Sequence, residues 1–218
     1  MTQRRPAVVV LAAGRGMRFH GVGHKLEQRV ELANADTILA RTLRHAMDTQ
    51  LRVVLVTTPT LAPAALQLLP ADDVVILPSV DSSGRPASVG MGHSIAAGVS
   101  AAGDAEGWLI VPADMPLLRP DSILAVAGAL AHYPVAYAQH TGRPGHPVGF
   151  SSELYSELVN LKGDEGARRI VARYPAYAVD LDDPGVLVDV DTADDLARLR
   201  NTQPPDPPNL PKATLKPA

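Results

Sequence analysis

The stretch from Val8 to Lys25, VVVLAAGRGMRFHGVGHK, constrains the fold more than any other part of the sequence. Its valine-rich start predicts a buried strand, and the glycines that follow at once predict a loop with a sharp turn. Small residues let backbone N–H groups approach an anion closely, while Arg15, Arg18 and Lys25 add positive charge. The stretch therefore predicts a phosphate-binding loop, with a tight surface turn carrying solvated charges as the alternative.

Composition narrows the possible functions. The 218 residues suit one domain, or one domain with an appendage, and the formal net charge of -3 gives no overall attraction to nucleic acid or anionic membranes. Cys is absent, which excludes disulfides, thiolate metal sites and cysteine nucleophiles and fits a cytoplasmic protein. The apolar run before Gly14 is about seven residues long, too short for a signal peptide or a membrane span, so it is predicted to be the first strand.

Strand and helix patterns alternate along the chain. Apolar runs predict strands at 7–11, 52–57, 74–77, 108–112 and 135–139, an edge strand at 176–181 and a short strand at 186–190. Helical spacing predicts helices at 37–49, 64–69, 88–101, 121–132, 151–161, 165–174 and 193–200. Residues 141–149 are rich in Gly and Pro and are predicted to be a loop. We expect an α/β fold, a three-layer, doubly wound, mostly parallel sheet with its ligand site at the carboxyl ends of the strands.

The last residues differ in composition. From residue 203 onward, QPPDPPNLPKATLKPA contains six prolines in sixteen residues and cannot pack a core. We therefore expect one domain at residues 1–202 and a proline-rich disordered tail at 203–218.

The glycine loop matches neither of two familiar patterns. A dinucleotide fingerprint fails because Gly14 and Gly16 are followed by no glycine before Gly21, and a Walker loop fails because Val22, not lysine, follows Gly21. The remaining pattern, a small-residue turn with an arginine and a more distant lysine, suits a triphosphate neutralised by side chains and a metal.

Two aspartates are the candidate metal ligands. Asp114 and Asp191 each come just after a predicted strand, at the same edge of the sheet. Mg²⁺ on a nucleotide takes only one or two protein carboxylates. The alternative is that each aspartate caps a turn or a helix.

Five motifs occur in the order seen in the molybdenum cofactor nucleotidyltransferases. The chain resembles that family over roughly residues 6 to 200, through LAAGRGMR with Lys25 downstream, VPADMPLL, GHPVGF, GDEGAR and VDVDTADDL. Ala13 makes the first motif more similar to the cytidylyltransferase branch, because the guanylyltransferase branch usually has glycine at that position.

The resemblance implies a Rossmann-like nucleotidyltransferase fold, similar to GT-A, and transfer of CMP from CTP to the phosphate of molybdenum-bound molybdopterin with release of pyrophosphate. It implies that Arg18 and Lys25 hold the triphosphate, that Asp114 carries Mg²⁺, and that Asp191 shares the metal or holds the pterin. The residues implied to position the nucleotide are Leu11, Ala12, Ala13, Gly14, Arg15 and Gly16.

Other motifs are similar to parts of the family that contact the base and the pterin. Gly90 and Ser94 match a segment over the base, and the residues matching the acceptor site are Gly145, His146, Pro147, Asp164 and Arg168. His146 has an alternative as a turn residue bonded to the backbone. Asp164 and Arg168 have alternatives as a helix N-terminal acid and a surface cation.

The expected partners are CTP and molybdopterin, with a molybdoenzyme client or its chaperone, and neither nucleic acid nor membrane. Two other functions stay open. One is a nucleotidyltransferase of the same fold that uses GTP or another acceptor, such as a sugar or alcohol phosphate. The other is a non-catalytic module that hands the cofactor to an apoenzyme, although the presence of both Lys25 and Asp114 argues against it.

Overall fold

The computed structural model describes residues 5–14, 19, 23–31, 36–78 and 90–202 of the chain. Its strands are β1 (Ala7–Leu11), β2 (Arg52–Thr57), β3 (Val74–Ile76), β4 (Gly107–Pro112), β5 (Val135–His140), β6 (Arg143–Ser151) and β7 (Ala176–Asp180). Its α-helices are α1 (Ile38–Asp48), α2 (Ala62–Ala65), α3 (Met91–Ala101), α4 (Pro120–Ala129), α5 (Tyr155–Val159), α6 (Arg168–Arg173) and α7 (Ala193–Thr202). Short 3₁₀ helices lie at Lys25–Glu27, Ala71–Asp73, Ser152–Leu154 and Pro184–Leu187.

The described strands form one sheet in the order β3-β2-β1-β4-β6-β5-β7. β1 pairs in parallel with both β2 and β4, whereas β6 is antiparallel to its neighbours β4 and β5. β1 is a central strand, and residues Ala7 to Val10 are completely buried, as its continuous apolar sequence predicted.

Helices cover both faces of the sheet. Val8 and Val10 point into one core with α1, α2, α4 and α7, and Val9 points into a second core with α3, α5 and α6. This alternation follows from the two-residue period of a strand. The expectation of a three-layer, mostly parallel α/β fold is confirmed.

The prediction of a loop at 141–149 was wrong. Residues 143–151 form β6, which lies between β4 and β5 and pairs with both. Pro has no N–H to donate to a neighbouring strand, so a segment that contains several Pro and Gly residues is predicted to be irregular. The pairing of Val148, Gly149 and Phe150 with both neighbouring strands overrides that local preference.

The prediction of a strand at 186–190 was also wrong. Pro184–Leu187 is a 3₁₀ helix, and no strand follows it among the described residues before α7. Asp183 precedes this helix, and its side chain accepts a hydrogen bond from the N–H of Gly185 at 2.9 Å. This capping contact and Pro184 favour a tight turn over an extended strand.

In the part of the chain that the structure describes, every helix lacks the length and apolar content that crossing a membrane requires.

Candidate active site

The loops after β1, β2 and β4 meet at the carboxyl edge of the sheet. The N–H of Ala12 donates to the carbonyl of Val56 at 2.7 Å, and the N–H of Ala113 donates to the carbonyl of Leu11 at 3.0 Å. These bonds extend the pairing of β1 beyond its last residue. The loop after β4, which carries Asp114, is therefore held beside the glycine loop.

The described part of the glycine loop passes from the core to the surface. Ala12 and Ala13 are buried, at 1% and 3% exposure, and Gly14 is exposed. The methyl group of Ala13 packs in the second core. Three predicted binding residues of this loop, Arg15, Gly16 and Arg18, lie outside the described residues.

Lys25 begins a short 3₁₀ helix whose start is fixed by His24. The Nδ1 atom of His24 accepts a hydrogen bond from the N–H of Leu26 at 3.2 Å, and the Leu26 side chain is buried. Burial lowers the pKa of the His24 imidazole, although Glu27 and the backbone of Gly14 act in the opposite direction. His24 thus contacts both the Lys25 turn and the glycine loop.

Lys25, Asp114 and Asp191 form one cluster. The Nζ atom of Lys25 donates to Oδ2 of Asp114 at 2.6 Å and to Oδ1 of Asp191 at 2.8 Å. The three side chains are only 10%, 17% and 19% exposed. Burial lowers the pKa of Lys25, but the two carboxylates more than offset this, so the net direction of its pKa is upward.

The cluster has the donor set of a divalent metal site. One oxygen from each aspartate already converges on a single cation, and Oδ1 of Asp114 is buried with no hydrogen-bond partner among the described residues. Within the described residues, no group of three or more His, Cys, Asp and Glu side chains is arranged to hold a metal. Two carboxylates fit Mg²⁺ that takes its other ligands from phosphate and water.

Backbone contacts place Asp191 beside Asp114. The N–H of Val190 donates to the carbonyl of Asp114 at 2.9 Å. Upstream, the buried carboxylate of Asp183 accepts hydrogen bonds from the hydroxyl of Ser122 at 2.6 Å and the N–H of Arg119 at 3.1 Å. Asp183 therefore ties the segment that leads to Asp191 to the start of α4, a positioning contact that the sequence did not reveal.

Asp189 is a charged neighbour that the sequence interpretation passed over. Partial removal from water raises the pKa of its carboxyl, and repulsion by Asp191 and Asp114 acts in the same direction, while Lys25 opposes it. The spacing of Asp189 could have identified it. Asp189 and Asp191 are two residues apart in a segment with no helical pattern, and in an extended chain such residues lie on the same face.

The predicted acceptor residues at the start of β6 lie near the aspartates. Gly145 packs so closely on the backbone of Val186 that a Cβ would lie 2.2 Å from its carbonyl oxygen. Burial lowers the pKa of His146, opposed by the backbone of Ile110 and the carboxylates of Asp114 and Asp189. Its Nδ1 atom is buried without a partner among the described residues, and Pro147 follows through a cis peptide bond.

The other predicted contacts group around the start of α3. Gly90 lies against the turn at 162–164, where a Cβ would be 2.3 Å from the carbonyl oxygen of Gly163 and 2.5 Å from Oδ1 of Asp164. The hydroxyl of Ser94 is buried and lies 3.3 Å from the carbonyl of Gly90. Asp164 therefore lies with the predicted base contacts. Arg168 is exposed at the start of α6, and none of the described contacts joins it to Lys25.

Comparison with known proteins identifies the family. The sequence pattern of the MobA-like NTP transferase domain matches residues 8–178, most of the chain. The chain belongs to the MobA-like NTP transferases. The matched residues therefore form a nucleotidyltransferase domain.

A curated relative of this MobA-like transferase is the purine catabolism protein PucB of Bacillus subtilis (strain 168). The two are 38% identical over 121 residues, which cover 53% of this chain and 58% of PucB, so the match spans somewhat more than half of each protein.

Solved structures share the fold. Rv0371c of Mycobacterium tuberculosis H37Rv superposes with a TM-score of 0.73 at 24% identity over 91% of this chain and all of that chain. The same protein is also known as a complex with manganese, with a TM-score of 0.68 at 25% identity, covering 92% of this chain and 100% of that one. A molybdopterin-guanine dinucleotide biosynthesis protein A from Archaeoglobus fulgidus gives 0.63 at 16% identity over 89% of this MobA-like transferase and 97% of its own chain.

Proposed function

We propose that this enzyme is a Mg²⁺-dependent cytidylyltransferase that transfers CMP from CTP to the terminal phosphate of molybdenum-bound molybdopterin. The observation that carries the proposal is the convergence of Lys25, Asp114 and Asp191 beside the glycine loop. A cation and two carboxylates at this edge of the sheet suit a metal-bound triphosphate.

The proposed reaction needs no covalent enzyme intermediate. An oxygen of the acceptor phosphate attacks the α-phosphorus of CTP, a new P–O bond forms, and the bond to the β-phosphate bridging oxygen breaks. Pyrophosphate leaves with that electron pair. Because the attacking phosphate is already anionic, alignment and charge neutralisation can supply the rate without a strong base.

The chain's own residues divide the work between binding and neutralisation. The backbone of Ala12, Ala13 and Gly14 would position the triphosphate, and Lys25 together with Arg18 would stabilise the pyrophosphate as it departs. Asp114 and Asp191 would hold Mg²⁺, which when bound neutralises charge on the phosphates.

The acceptor is proposed to bind at the start of β6. Gly145 lets the start of β6 pack directly on the 3₁₀ turn at Pro184–Leu187. The lowered pKa of His146 keeps its imidazole neutral at neutral pH, and because one ring nitrogen bonds to the backbone of Ile110, Nδ1 is the atom it can offer to the acceptor substrate. The name of the Archaeoglobus neighbour, a molybdopterin-guanine dinucleotide biosynthesis protein, supports a pterin acceptor. Asp164 and Arg168 stay proposed acceptor contacts.

The preference for cytosine rests on Ala13. Its side chain is buried, so we infer that it acts indirectly. The methyl group would fill space beneath the loop and so determine how closely the base can approach the loop. Gly90 is the second proposed base contact. Ser94 would donate its hydroxyl to the base only by giving up its present bond to the Gly90 carbonyl.

Three further predictions belong to the same proposal. We expect a molybdoenzyme client or its chaperone to receive the product, and we expect a cytoplasmic location. The division into a domain at 1–202 and a tail at 203–218 also stays a prediction, since the tail lies outside the described residues.

The test is release of pyrophosphate from CTP, GTP and ATP, each with and without molybdenum-bound molybdopterin. We expect rapid release only with CTP and the pterin. Release with GTP alone would contradict the cytidylyl assignment, and release with a sugar or alcohol phosphate but not the pterin would contradict the acceptor. No release with any nucleotide would favour the non-catalytic module.

A further inference from the structure

Lys25 occupies the position that a bridging divalent cation would need. Its Nζ atom contacts one oxygen of Asp114 at 2.6 Å and one oxygen of Asp191 at 2.8 Å. A bound Mg²⁺ lies about 2.1 Å from its oxygen ligands. An ammonium and a divalent ion that used the same two oxygens would be in near contact, and their like charges would repel strongly in a partly buried site.

We propose that Lys25 competes with the divalent metal for Asp114 and Asp191, so that metal binding requires Lys25 to leave them. The triphosphate is the group that would accept Lys25 after it leaves. This inference rests on the proposed function and adds to it an order of events, in which metal and nucleotide bind together more readily than either binds alone.

The local structure suits such an exchange. The backbone of the Lys25 turn is held by the His24 cap and by the buried Leu26, so the turn itself need not move. The flexible four-carbon stem of Lys25 alone can carry the ammonium from the carboxylates to a neighbouring phosphate. The glycine loop is within reach of that turn, because His24 contacts the backbone of Gly14.

Coupling follows from this exchange. A metal that arrives alone must separate Lys25 from two carboxylates and leave without a partner an ammonium whose side chain is only 10% exposed. A metal that arrives with a triphosphate does not leave Lys25 unpaired. Each ligand therefore raises the affinity of the site for the other, by the same factor in both directions.

The experiment measures Mn²⁺ binding without nucleotide, by the loss of the free Mn²⁺ electron paramagnetic resonance signal. Lys25→Met keeps the length of the stem and removes the competing charge, so we expect it to bind Mn²⁺ at least tenfold more tightly than the wild type. Lys25→Arg should stay close to the wild type. At saturating Mn²⁺, calorimetry should show that Lys25→Met binds CTP at least tenfold more weakly.

Lys162→Met is the matched control, because it removes the same charge from an exposed side chain. It should leave Mn²⁺ affinity unchanged. Equal or weaker Mn²⁺ binding by Lys25→Met would overturn the inference, as would an equal gain in Lys162→Met. These binding results are independent of pyrophosphate release by the wild type, which tests the proposed reaction.

Discussion

The two oxygens of the Asp114 carboxylate have different surroundings. One of its oxygens bonds to Lys25, and the other is buried with no partner among the described residues. A buried acceptor without a donor costs free energy, so its persistence at this edge of the sheet needs a functional reason. The cap interpretation would require an N–H donor to this carboxylate, and none of the hydrogen bonds among the described residues supplies one.

Asp114→Asn should therefore affect catalysis and leave folding intact. We expect turnover to fall by about 10²–10³-fold, the usual loss when a main electrostatic contact to reacting phosphates is removed. Pyrophosphate release measures turnover, and circular dichroism during heating measures folding. Asp72→Asn, in the exposed 3₁₀ helix before β3, is the control and should keep full activity. A variant that unfolds at the assay temperature would restore the cap interpretation.

The sequence predicted the members of the cluster but not their contacts. Lys25 and Asp114 are 89 residues apart, and Lys25 and Asp191 are 166 apart. No pattern of neighbouring residues could therefore show that both carboxylates bind the Lys25 ammonium. The rule that residues following parallel strands meet at one edge of the sheet accounts for Asp114, which follows β4. It does not account for Asp191, because no strand among the described residues leads directly into Asp191 and the bond from the Val190 N–H to the Asp114 carbonyl holds it there. Asp183 could not be found this way, because its role depends on a contact with Ser122 on another element.

At the scale of elements, the bounds of a strand or helix were predicted correctly where a single hydrophobic pattern covered the whole segment. β1 and β2 were predicted with the observed bounds, because their unbroken runs of Val and Leu leave no helical alternative. α5 and α6 are shorter than predicted. Gly163 and Gly166 adopt φ values of +68° and +60°, and the turn they form is also where α3 packs. β6 was not predicted because its pairing with β4 and β5 cannot be seen in the sequence, and this pairing outweighs the preference of its prolines for irregular structure.

The packing of α3 on the 162–164 turn predicts an unusual response to alanine. In Gly92→Ala the new Cβ would lie 2.8 Å from the carbonyl oxygen of Lys162, and backbone must shift to admit it. We expect a loss of about 1–3 kcal/mol in the free energy of unfolding, measured in urea.

Gly128 in α4 provides the matched control, because a Cβ there would meet nothing within 4 Å. Gly128→Ala should stabilise the protein by about 0.5–1 kcal/mol through helix propensity. Similar effects of the two substitutions would show that the turn yields easily and does not hold α3 in place.

The first turn of α7 contains a reciprocal cap that makes stability depend on pH. Oδ2 of Asp195 accepts from the N–H of Thr192 at 2.8 Å, and the N–H of Asp195 donates to Oγ1 of Thr192 at 3.1 Å. The hydroxyl of Thr192, which donates to the same Oδ2 atom at 2.7 Å, is the main cause that lowers the pKa of Asp195 from 3.8 to about 2, and Arg198 and the N–H groups of Thr192 and Asp191 add to it. Because the folded pKa is depressed, the stabilisation is complete above about pH 4 and is lost as pH falls toward 2.

Asp195→Ala should accordingly cost about 1–2 kcal/mol at pH 7 and much less at pH 2.5. Urea unfolding at both pH values measures the difference from wild type. Asp194→Ala, on the same turn but exposed, should cost under about 0.5 kcal/mol at pH 7. An undiminished cost at pH 2.5 would mean that Asp195 stabilises α7 through something other than its charge.

At the scale of the whole molecule, the site depends on the sheet more than on any single element. Its described residues come from the ends of β1 and β4, the 3₁₀ turn that begins at Lys25, the starts of β6 and α3, and the segment before α7. Both cores hold these pieces, since Ala12 packs in the first and Ala13 in the second. Alternating strands and helices predict such an arrangement, but only the strand order puts the reversed β6 beside β4.

Ligand binding should therefore stabilise the whole fold. CTP and Mg²⁺ at about 100 times Kd would add about 2.7 kcal/mol, which for a domain of this size raises Tm by about 5–10 °C. Differential scanning fluorimetry measures the shift. GTP at the same concentration should give a smaller one, because the proposed site prefers cytosine. In Asp114→Asn the Mg²⁺-dependent part should disappear, and an equal shift in that variant would place the metal away from Asp114.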